Sequence, residues 1–389
     1  MENKDYISSI RKFIAPEFVF GVNSTLFLGR YCKSLDLNKV LIVTDNTLKN
    51  TKNMNAVIQS LISESIQFEV FSDITPNPKD IEVMKGAAFF INTKCDSIVA
   101  YGGGSVIDAA KGIGIVSTNN QEIVTFEGVD KIELPMPPFI CIPTTAGSSA
   151  DVSQFCIINK VSEKVKIAII SKSLVPDVSL IDPVNLISMP AFLTACTGID
   201  ALVHAFEAYV STGSSYVTDV HALTAVKLIT ENLIDSITNP DDIERRSLLM
   251  MGSLQAGLAF SNASLGCVHA LAHSLGGYFD LPHGECNALL LEAVVDYNFS
   301  SASKRYSKLA ETIGLDVIKK SDEYTKKILL EFLADFRNKA GVRGTLKERG
   351  VKDSDIPVLS SKAIHDPCNA TNPRIPTISD IENLYRRSL

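Results

Sequence analysis

Short apolar runs alternate with segments of helical periodicity over the first half of the chain. Four runs are continuous and apolar, and each ends in a turn or a polar loop. They span residues 39–45, 68–74, 97–104 and 138–147. Helical periodicity follows over residues 46–65, 80–94 and 106–116. Strands that alternate with helices in this way are typical of βαβ units, so we predict a mostly parallel sheet. Residues 165–171 and 177–183 predict further strands, antiparallel or at an edge.

The pattern changes near Pro190. The remaining segments have apolar positions at 3.6-residue spacing and are separated by short turns rich in Gly, Pro or Asp. They span residues 191–210, 216–236, 241–261, 285–296, 301–313 and 321–340. No alternation typical of strands stands out. The sequence therefore predicts an α/β domain over residues 1–188 and an all-helical domain over residues 189–389.

Composition agrees with two domains in a globular protein. A chain of 389 residues is too long for one core, and 46% of its residues are hydrophobic and 21% charged. The net charge of −7 argues against general nucleic-acid binding. The first thirteen residues are charged and contain no apolar segment of the kind found in secretory signals, and no run approaches the length of a membrane span. Eight scattered cysteines without a CxxC pair favour buried, reduced thiols, so we expect a cytoplasmic protein with no membrane partner.

A glycine-rich turn follows the third apolar run. Gly102, Gly103, Gly104 and Ser105 lie between a predicted strand and a predicted helix. This arrangement can set backbone N–H groups and a helix N-terminus against phosphate oxygens. The match to GxGxxG is partial because Ile107 occupies the third glycine position, and the absence of GK[ST] excludes a P-loop. A tight turn without a ligand remains an alternative.

Asp45 strengthens the interpretation as a dinucleotide site. An acid at the end of an early strand can accept hydrogen bonds from both ribose hydroxyls and would repel a 2′-phosphate, which favours NAD over NADP. In the usual fingerprint the acid follows the glycines, whereas Asp45 precedes them. The fold is therefore Rossmann-like rather than a standard Rossmann arrangement, and a helix-capping role for Asp45 or Asn46 competes with the ribose role.

Five residues of the second half have the character of metal ligands. Asp200 and His204 are four residues apart, as are His269 and His273, so each pair shares one helix face. His283 lies just before the next predicted helix, where a loop could supply a further imidazole. Helix geometry leaves open whether both His269 and His273 bind the ion. Nitrogen and oxygen donors suit a catalytic Fe²⁺ or Zn²⁺ ion, and Mn²⁺ is also compatible.

At this point the whole chain resembles the iron-containing (group III) alcohol dehydrogenases. The resemblance rests on several motifs in the same order along the chain. They are TDNTL (44–48), PNP (76–78), YGGGSVIDAAKG (101–112), IPTTAGSSADVS (142–153), LVPDVSLIDP (174–183), TGIDALVHAFEAYVS (197–211), GCVHALAHSLGGYFDLPHGECNALLL (266–291) and DPCNATNPR (366–374).

The resemblance implies a role for individual residues. It implies metal ligation by Asp200, His204, His269 and His283, and it places His273 near the nicotinamide as a catalytic residue and not as a ligand. It also implies a set of residues around NAD(H). With the glycine turn, these are Asp45, Asn77, Gly102, Gly103, Gly104, Ser105, Asp108, Thr144, Thr145, Ser149 and Lys166. One segment departs from the family pattern, because TTAGTGSE reads TTAGSSAD here, so that loop's cofactor contacts are an open question.

The activity implied is a metal-dependent, NAD(H)-linked alcohol dehydrogenase or aldehyde reductase. Its substrate would be a small primary alcohol or a short aldehyde, including one with an anionic group such as sulfoacetaldehyde or succinic semialdehyde, for which Arg337 and Arg374 are candidate cations. The resemblance further implies a homodimer or larger homo-oligomer. Two alternatives are an NAD- and metal-dependent lyase like dehydroquinate synthase, and a non-catalytic metal-storing or nucleotide-sensing module.

Overall fold

The computed structural model describes residues 12–389. The expectation that the chain lacks a secretory signal concerns mainly residues outside this range. Contacts between Cα atoms group the described residues into two compact units. One comprises residues 15–189 and 240–250, and the other comprises residues 12–14, 190–239 and 251–389. The division into domains at residue 188 stays a prediction.

The first unit is built on a six-stranded sheet in which every pairing is parallel. Its strands are β1 (Glu17–Phe20), β2 (Lys39–Val43), β3 (Gln67–Phe71), β4 (Ser97–Gly102), β6 (Phe139–Pro143) and β9 (Val178–Ile181), in the spatial order β1-β9-β6-β4-β2-β3. Four helices belong to the same unit. They are α1 (Leu28–Ser34), α2 (Lys52–Ser63), α3 (Asp80–Thr93) and α4 (Gly104–Asn119).

The central strands are buried on both faces. Every residue of β4 and of β6 is buried. On β2, Leu41 and Val43 belong to one apolar cluster, whereas Val40 and Ile42 belong to a second cluster. Because successive side chains of a strand point to opposite faces, each face of the sheet has its own core. Burial on both faces explains why these strands are continuous apolar runs in the sequence. The predicted α/β fold with a mostly parallel sheet is confirmed.

A small second sheet corrects part of the prediction. It consists of β5 (Gly128–Val129), β8 (Val165–Ile170) and β7 (Phe155–Lys160), and β8 runs antiparallel to β7 as expected. The strand predicted within residues 177–183 is present as β9, but the expectation that it is antiparallel or at an edge is wrong, because β9 is parallel and lies inside the large sheet between β1 and β6. Strands β1, β5 and β7 were not predicted from the sequence.

The second unit is helical. No strand occurs between residues 190 and 389, all of which are described. Its helices are α5 (Ala191–Val210), α6 (Tyr216–Thr238), the larger part of α7 (Ile243–Ala263), α8 (Cys267–Phe279), α9 (His283–Asn298), α10 (Ser303–Thr312), α11 (Asp322–Lys339), α12 (Ile356–Ala363) and α13 (Ile378–Ser388). None of the helices in residues 12–389 is long and apolar enough to cross a membrane.

Helix α5 lies at the centre of the helical unit. Sixteen of its 20 residues are buried, so it is apolar around nearly its whole circumference. Helix α9 approaches α5 closely where Gly284 faces the backbone of Cys196, and a Cβ atom on Gly284 would overlap the Cys196 carbonyl oxygen. The absence of a side chain at residue 284 therefore sets the distance between two helices that carry candidate metal ligands.

We expect Gly284→Ala to destabilise the protein by about 2 kcal/mol, because one of two packed backbones has to move. The measurement is the denaturant midpoint of the metal-free protein. Gly114→Ala is a matched control, since Gly114 also lies in a helix but faces the side chain of Met136, which can move aside. Equal midpoints for the two variants would contradict the argument.

Candidate active site

The four predicted metal ligands converge in the helical unit. Helix α5 supplies Asp200 and His204 from consecutive turns, α8 supplies His269, and α9 supplies His283 as its first residue. The first three are almost fully buried, with 4%, 4% and 1% of their surface exposed, and His283 is partly exposed. Three of the four side chains are therefore shielded from solvent.

Distances between donor atoms fit a shared ion. Oδ1 of Asp200 lies 3.9 Å from Nε2 of His204, 3.8 Å from Nε2 of His269 and 3.8 Å from Nε2 of His283. These separations are too long for hydrogen bonds. Two donors that are each about 2.0–2.2 Å from one ion lie at most about 4.4 Å apart, so each of the three imidazole nitrogens is close enough to Oδ1 of Asp200 to share a divalent ion with it. Asp200, His269 and His283 also form one mutually close group of donors. The residues therefore fit the predicted centre.

Charge reinforces this arrangement. Burial alone would raise the pKa of Asp200, but His204, His283 and His269 hold the pKa of this carboxyl well below its usual range. Burial likewise would lower the pKa of His269, but Glu207 and Asp200 raise it to about 9. In the metal-free protein His269 is therefore protonated at neutral pH, and an ion has to displace that proton.

Glu207 was not predicted from the sequence as a site residue. It is a buried carboxylate next to the predicted ligands. Its Oε2 accepts hydrogen bonds from Nδ1 of His269 at 2.6 Å and from the N–H of Gly266 at 3.0 Å, and its Oε1 accepts one from the N–H of Val268 at 2.6 Å. Asp200, His204 and Glu207 are at positions i, i+4 and i+7 of an otherwise apolar helix. This polar stripe was the signal that could have identified it.

Asn287 also contacts the ligand set without having been predicted. Its side-chain Nδ2 donates to Oδ1 of Asp200 at 2.6 Å and lies 3.2 Å from Nε2 of both His269 and His283. The residue has no exposed surface. It lies four residues after His283 on α9, so the same helical spacing that indicated the histidines also applied to Asn287.

His273 is next to the ligands and paired with a different carboxylate. Its ring stacks on that of His283 with centroids 5.3 Å apart, and its Nδ1 lies 2.8 Å from Oδ2 of Asp366. The other oxygen of Asp366 accepts the backbone N–H of Cys368. Burial would raise the pKa of Asp366, but the charge and hydrogen bond of His273 hold it below its usual value. Asp366 therefore fixes the orientation of the His273 ring.

Two cysteines that lie close in sequence to the predicted ligands have the properties of core residues. Cys196 and Cys267 are 3% and 0% exposed. Burial raises the pKa of the Cys196 thiol to about 12 and raises that of Cys267 further. Burial is the largest cause of both shifts, as expected for thiols that pack in a core.

The predicted cofactor residues lie in the other unit, at the carboxyl edge of its large sheet. Asp45 follows β2, the glycine turn follows β4, and Thr144 follows β6. The chain order changes direction between β2 and β4, since β3 lies on one side of β2 and β4 on the other. Ligands of open α/β sheets bind at such a switch point.

The glycine turn is crowded by the protein itself. A Cβ atom at Gly102 would lie 2.5 Å from Val106, and one at Gly104 would lie 2.5 Å from Oγ of Ser148. Gly103 is the N-cap of α4, so the first backbone N–H groups of that helix have no partner within it. The turn therefore combines close packing with the helix N-terminus that binds phosphate in other proteins.

Asp45 caps a turn with one oxygen. Its Oδ1 accepts the backbone N–H groups of Thr47 at 2.7 Å and Leu48 at 2.9 Å. The structural role considered for this residue is thus present. Among the described residues, no hydrogen bond to Oδ2 occurs, and that oxygen can still accept from a ligand.

Asn77 joins two other predicted cofactor residues. Its Oδ1 accepts from Nζ of Lys166 at 2.7 Å, and its backbone N–H donates to Oγ of Ser105 at 3.3 Å. Burial raises the pKa of Asp108, on the same helix as Ser105, to about 7, while the nearby Lys111 and Lys166 act in the opposite direction. Ser105, Asn77 and Lys166 thus form one polar group beside the glycine turn.

The loop that departs from the family pattern packs on this turn. Thr144 donates its backbone N–H to the Gly102 carbonyl, and a Cβ on Gly103 would lie 3.0 Å from Thr145. Ser149, where the family pattern has glycine, is buried and has φ of 48°. A serine in the left-handed region is under backbone strain that glycine would not have.

A buried lysine ties the end of this loop to α4. Lys111 has no exposed surface, and its Nζ donates to the carbonyl oxygens of Ser153 and Phe155, both at 2.8 Å. Burial lowers the pKa of Lys111, whereas the charge of Asp108 acts to raise it. The loop and the helix are therefore linked by a buried side chain.

Comparisons with known proteins agree with these motifs. The family model for iron-containing alcohol dehydrogenases matches residues 15–183. The family model for the C-terminal part of the Fe-containing alcohol dehydrogenase family matches residues 194–389. The NAD-dependent methanol dehydrogenase of Bacillus methanolicus is 35% identical over 377 residues, which is 97% of this chain and 99% of the relative. The 1,3-propanediol dehydrogenase of Klebsiella pneumoniae is 36% identical over 371 residues, 95% of this chain and 96% of the relative.

A solved structure shows the same fold over the same length. The crystal structure of a 1,3-propanediol oxidoreductase has a TM-score of 0.95 and 35% sequence identity, and the match covers 98% of this chain and 100% of that one. The family indicated by the sequence motifs is thereby confirmed. The chain belongs to the iron-containing alcohol dehydrogenase family, and it is an oxidoreductase that acts on alcohols.

Proposed function

We propose that this enzyme interconverts a short, neutral primary alcohol and its aldehyde with NAD(H), at one divalent ion held by Asp200, His204, His269 and His283. The observation that carries the proposal is the position of Oδ1 of Asp200 within 3.8–3.9 Å of three imidazole nitrogens. Fe²⁺ and Zn²⁺ both suit this donor set, and Mn²⁺ is compatible with it. The names of the methanol and propanediol dehydrogenases support the substrate class.

The chain supplies binding and orientation. When bound, the ion supplies a Lewis acid for the substrate oxygen and NAD supplies the hydride acceptor. Asp200 contributes the one negative charge among the four ligands, and the burial of His204 and His269 excludes water from one side of the centre. Partial exposure of His283 leaves this ligand accessible to a small molecule.

His273 holds the proton that the alcohol loses. Its Nδ1 faces Asp366, so the tautomer with a proton on Nδ1 leaves Nε2 as the acceptor. Because Asp366 is itself held by the Cys368 N–H, the ring keeps one orientation through turnover. A histidine oriented by a carboxylate is suited to general acid–base catalysis.

The cofactor binds at the carboxyl edge of the large sheet. The glycine turn and the N-terminus of α4 hold the pyrophosphate, and Oδ2 of Asp45 accepts from the ribose. Asn77, Ser105, Asp108, Thr144, Thr145, Ser149 and Lys166 complete this set. The NAD-dependent methanol dehydrogenase, 35% identical to this chain, supports NAD over NADP.

Neither candidate cation for an anionic substrate is free. The guanidinium of Arg337 contacts Glu292 at 2.9 Å and donates to the Val342 carbonyl. That of Arg374 stacks 4.1 Å from the ring centroid of Tyr297 and pairs with Asp380. A neutral substrate therefore agrees better with these contacts than sulfoacetaldehyde or succinic semialdehyde.

We propose a cytoplasmic location and a homodimer or larger assembly. All eight cysteines are free and buried, which is usual in a reducing compartment. Strand β1 is at the edge of its sheet and exposes Phe18, a surface that a second copy could cover.

Replacing His269 by Ala should remove the ion and lower turnover by more than about 100-fold, because a direct ligand is lost. Bound metal is measured by elemental analysis, and turnover by NADH absorbance with short alcohols and aldehydes. Replacing the exposed His365, which lies outside the ligand set, is the control. Wild-type turnover in metal-free protein would refute the proposed centre.

Asp45→Asn should lower the preference for NAD over NADP at least about tenfold, since the amide keeps an acceptor for the Thr47 and Leu48 N–H groups but removes the negative charge. The ratio of kcat/KM for the two cofactors is the measurement. An unchanged ratio would exclude the ribose role.

Asp366→Asn should lower kcat about tenfold or more while leaving the metal content at one ion per chain. An amide can present its N–H₂ to Nδ1 of His273 and so favour the tautomer with the proton on Nε2. Metal analysis and steady-state kinetics separate the two effects. Loss of the ion together with activity would show that Asp366 acts on the ligands instead.

A further inference from the structure

We infer that Glu207 is a positioning residue of the metal centre, which selects the nitrogen of His269 that faces the ion and balances part of the ion's charge. This inference rests on the proposed metal role of Asp200, His204, His269 and His283. It assigns a function to a carboxylate that touches one of these ligands and that the proposed reaction does not otherwise use.

The carboxylate of Glu207 is enclosed by donors. The residue is 4% exposed, and its two oxygens accept from Nδ1 of His269 and from the backbone N–H groups of Gly266 and Val268. The approach is so close that a Cβ atom on Gly266 would lie 3.0 Å from Oε1 of Glu207. Three donors on two oxygens fix the plane and the direction of the carboxylate.

This position determines the tautomer of His269. A neutral imidazole carries one proton. Because an ionised carboxylate can only accept a hydrogen bond, the atom of His269 that faces Glu207 has to be the donor, and the proton therefore lies on Nδ1. Nε2, which lies 3.8 Å from Oδ1 of Asp200, then has its lone pair toward the ion. With the opposite tautomer an N–H group would point into the centre and the ion would lose a ligand.

The same carboxylate matters for charge. Three neutral imidazoles and the ionised Asp200 leave a divalent ion with one uncompensated positive charge in a buried site. Glu207, joined to His269 at 2.6 Å, brings the sum over the ion, Asp200 and Glu207 to zero. Burying an uncompensated charge is costly, so the second carboxylate favours a divalent ion at this centre.

A helix-capping role alone is the competing explanation. Glu207 does satisfy N–H groups at the start of α8, but Asn372 does so as well, since its Oδ1 accepts the N–H of Cys267 at 3.1 Å. Asn372 is also buried, and its side chain hydrogen-bonds further with Asn298 and with the Arg374 carbonyl rather than with a ligand histidine. Asn372 is therefore a matched control for Glu207.

The experiment compares wild type, Glu207→Gln and Asn372→Ala as metal-free full-length proteins titrated with Co²⁺. The visible absorption bands report the ligand geometry, and competition with a chelator gives Kd. We expect Glu207→Gln to raise Kd about 10- to 100-fold and to change the bands, because the amide cannot accept from all three donors. Asn372→Ala should lower the Tm of the metal-free protein but leave the Co²⁺ bands unchanged.

Three outcomes decide the matter. Equal Kd and identical bands for Glu207→Gln and wild type overturn the role of Glu207, and so does an equal change in both variants. Binding of less than one Co²⁺ by wild type refutes the proposed centre itself. If far-UV circular dichroism shows that metal-free Glu207→Gln is unfolded, Glu207→Asp is titrated in its place, because it keeps the charge but moves the carboxylate. The inference then requires a Kd above that of wild type with altered bands, and wild-type behaviour overturns it.

Discussion

In the proposed metal centre, donor atoms from three helices have to come close enough to share one ion, and the packing of the helical unit brings three imidazole nitrogens to within 3.8–3.9 Å of Oδ1 of Asp200. Asp200 and His204 come close through the pitch of α5 alone, whereas His269 and His283 depend on how α8 and α9 pack. The missing side chain of Gly284 brings α9 against α5. Glu207 brings the first turn of α8 against the same helix. Two contacts with α5 thus place the two ligands that lie outside it.

The sheet unit has a different constraint, since its candidate site is made of strand ends. Parallel strands carry their carboxyl ends to one edge, and so Asp45, Gly102 and Thr144 lie along the same edge although 57 and 42 residues separate them in sequence. The polar group formed by Asn77, Ser105 and Lys166 then rests on this edge. The candidate metal site is therefore formed by side chains of buried helices, whereas the candidate cofactor site is formed mainly by turns at the ends of strands.

The hydrophobic periodicity of the sequence correctly predicted those elements whose burial is determined within one continuous segment. The long apolar runs of β4 and β6 and the helical spacing of α5 are of this kind. The position of strand β9 in the sheet was predicted wrongly, because a short and mainly apolar segment fits an edge strand and an interior strand equally well. Its neighbours β1 and β6 are also far from it in the sequence. Helical spacing places Glu207 and Asn287 on the same helix faces as predicted ligands. Only the contact of each with His269, which the sequence does not show, indicates a role at the site. The pairing of His273 with Asp366 joins residues 93 apart, and no local pattern contains it.

The buried Lys111 has a consequence for the thermodynamics of binding. By holding the Ser153 and Phe155 carbonyls, it ties the segment that carries Ser149 to α4 before any ligand arrives. A loop that is already ordered loses little conformational entropy when it closes on a ligand, so more of the contact energy remains as affinity. Lys111, which is not among the proposed cofactor residues, thereby contributes to the proposed binding through the order that it imposes on the loop.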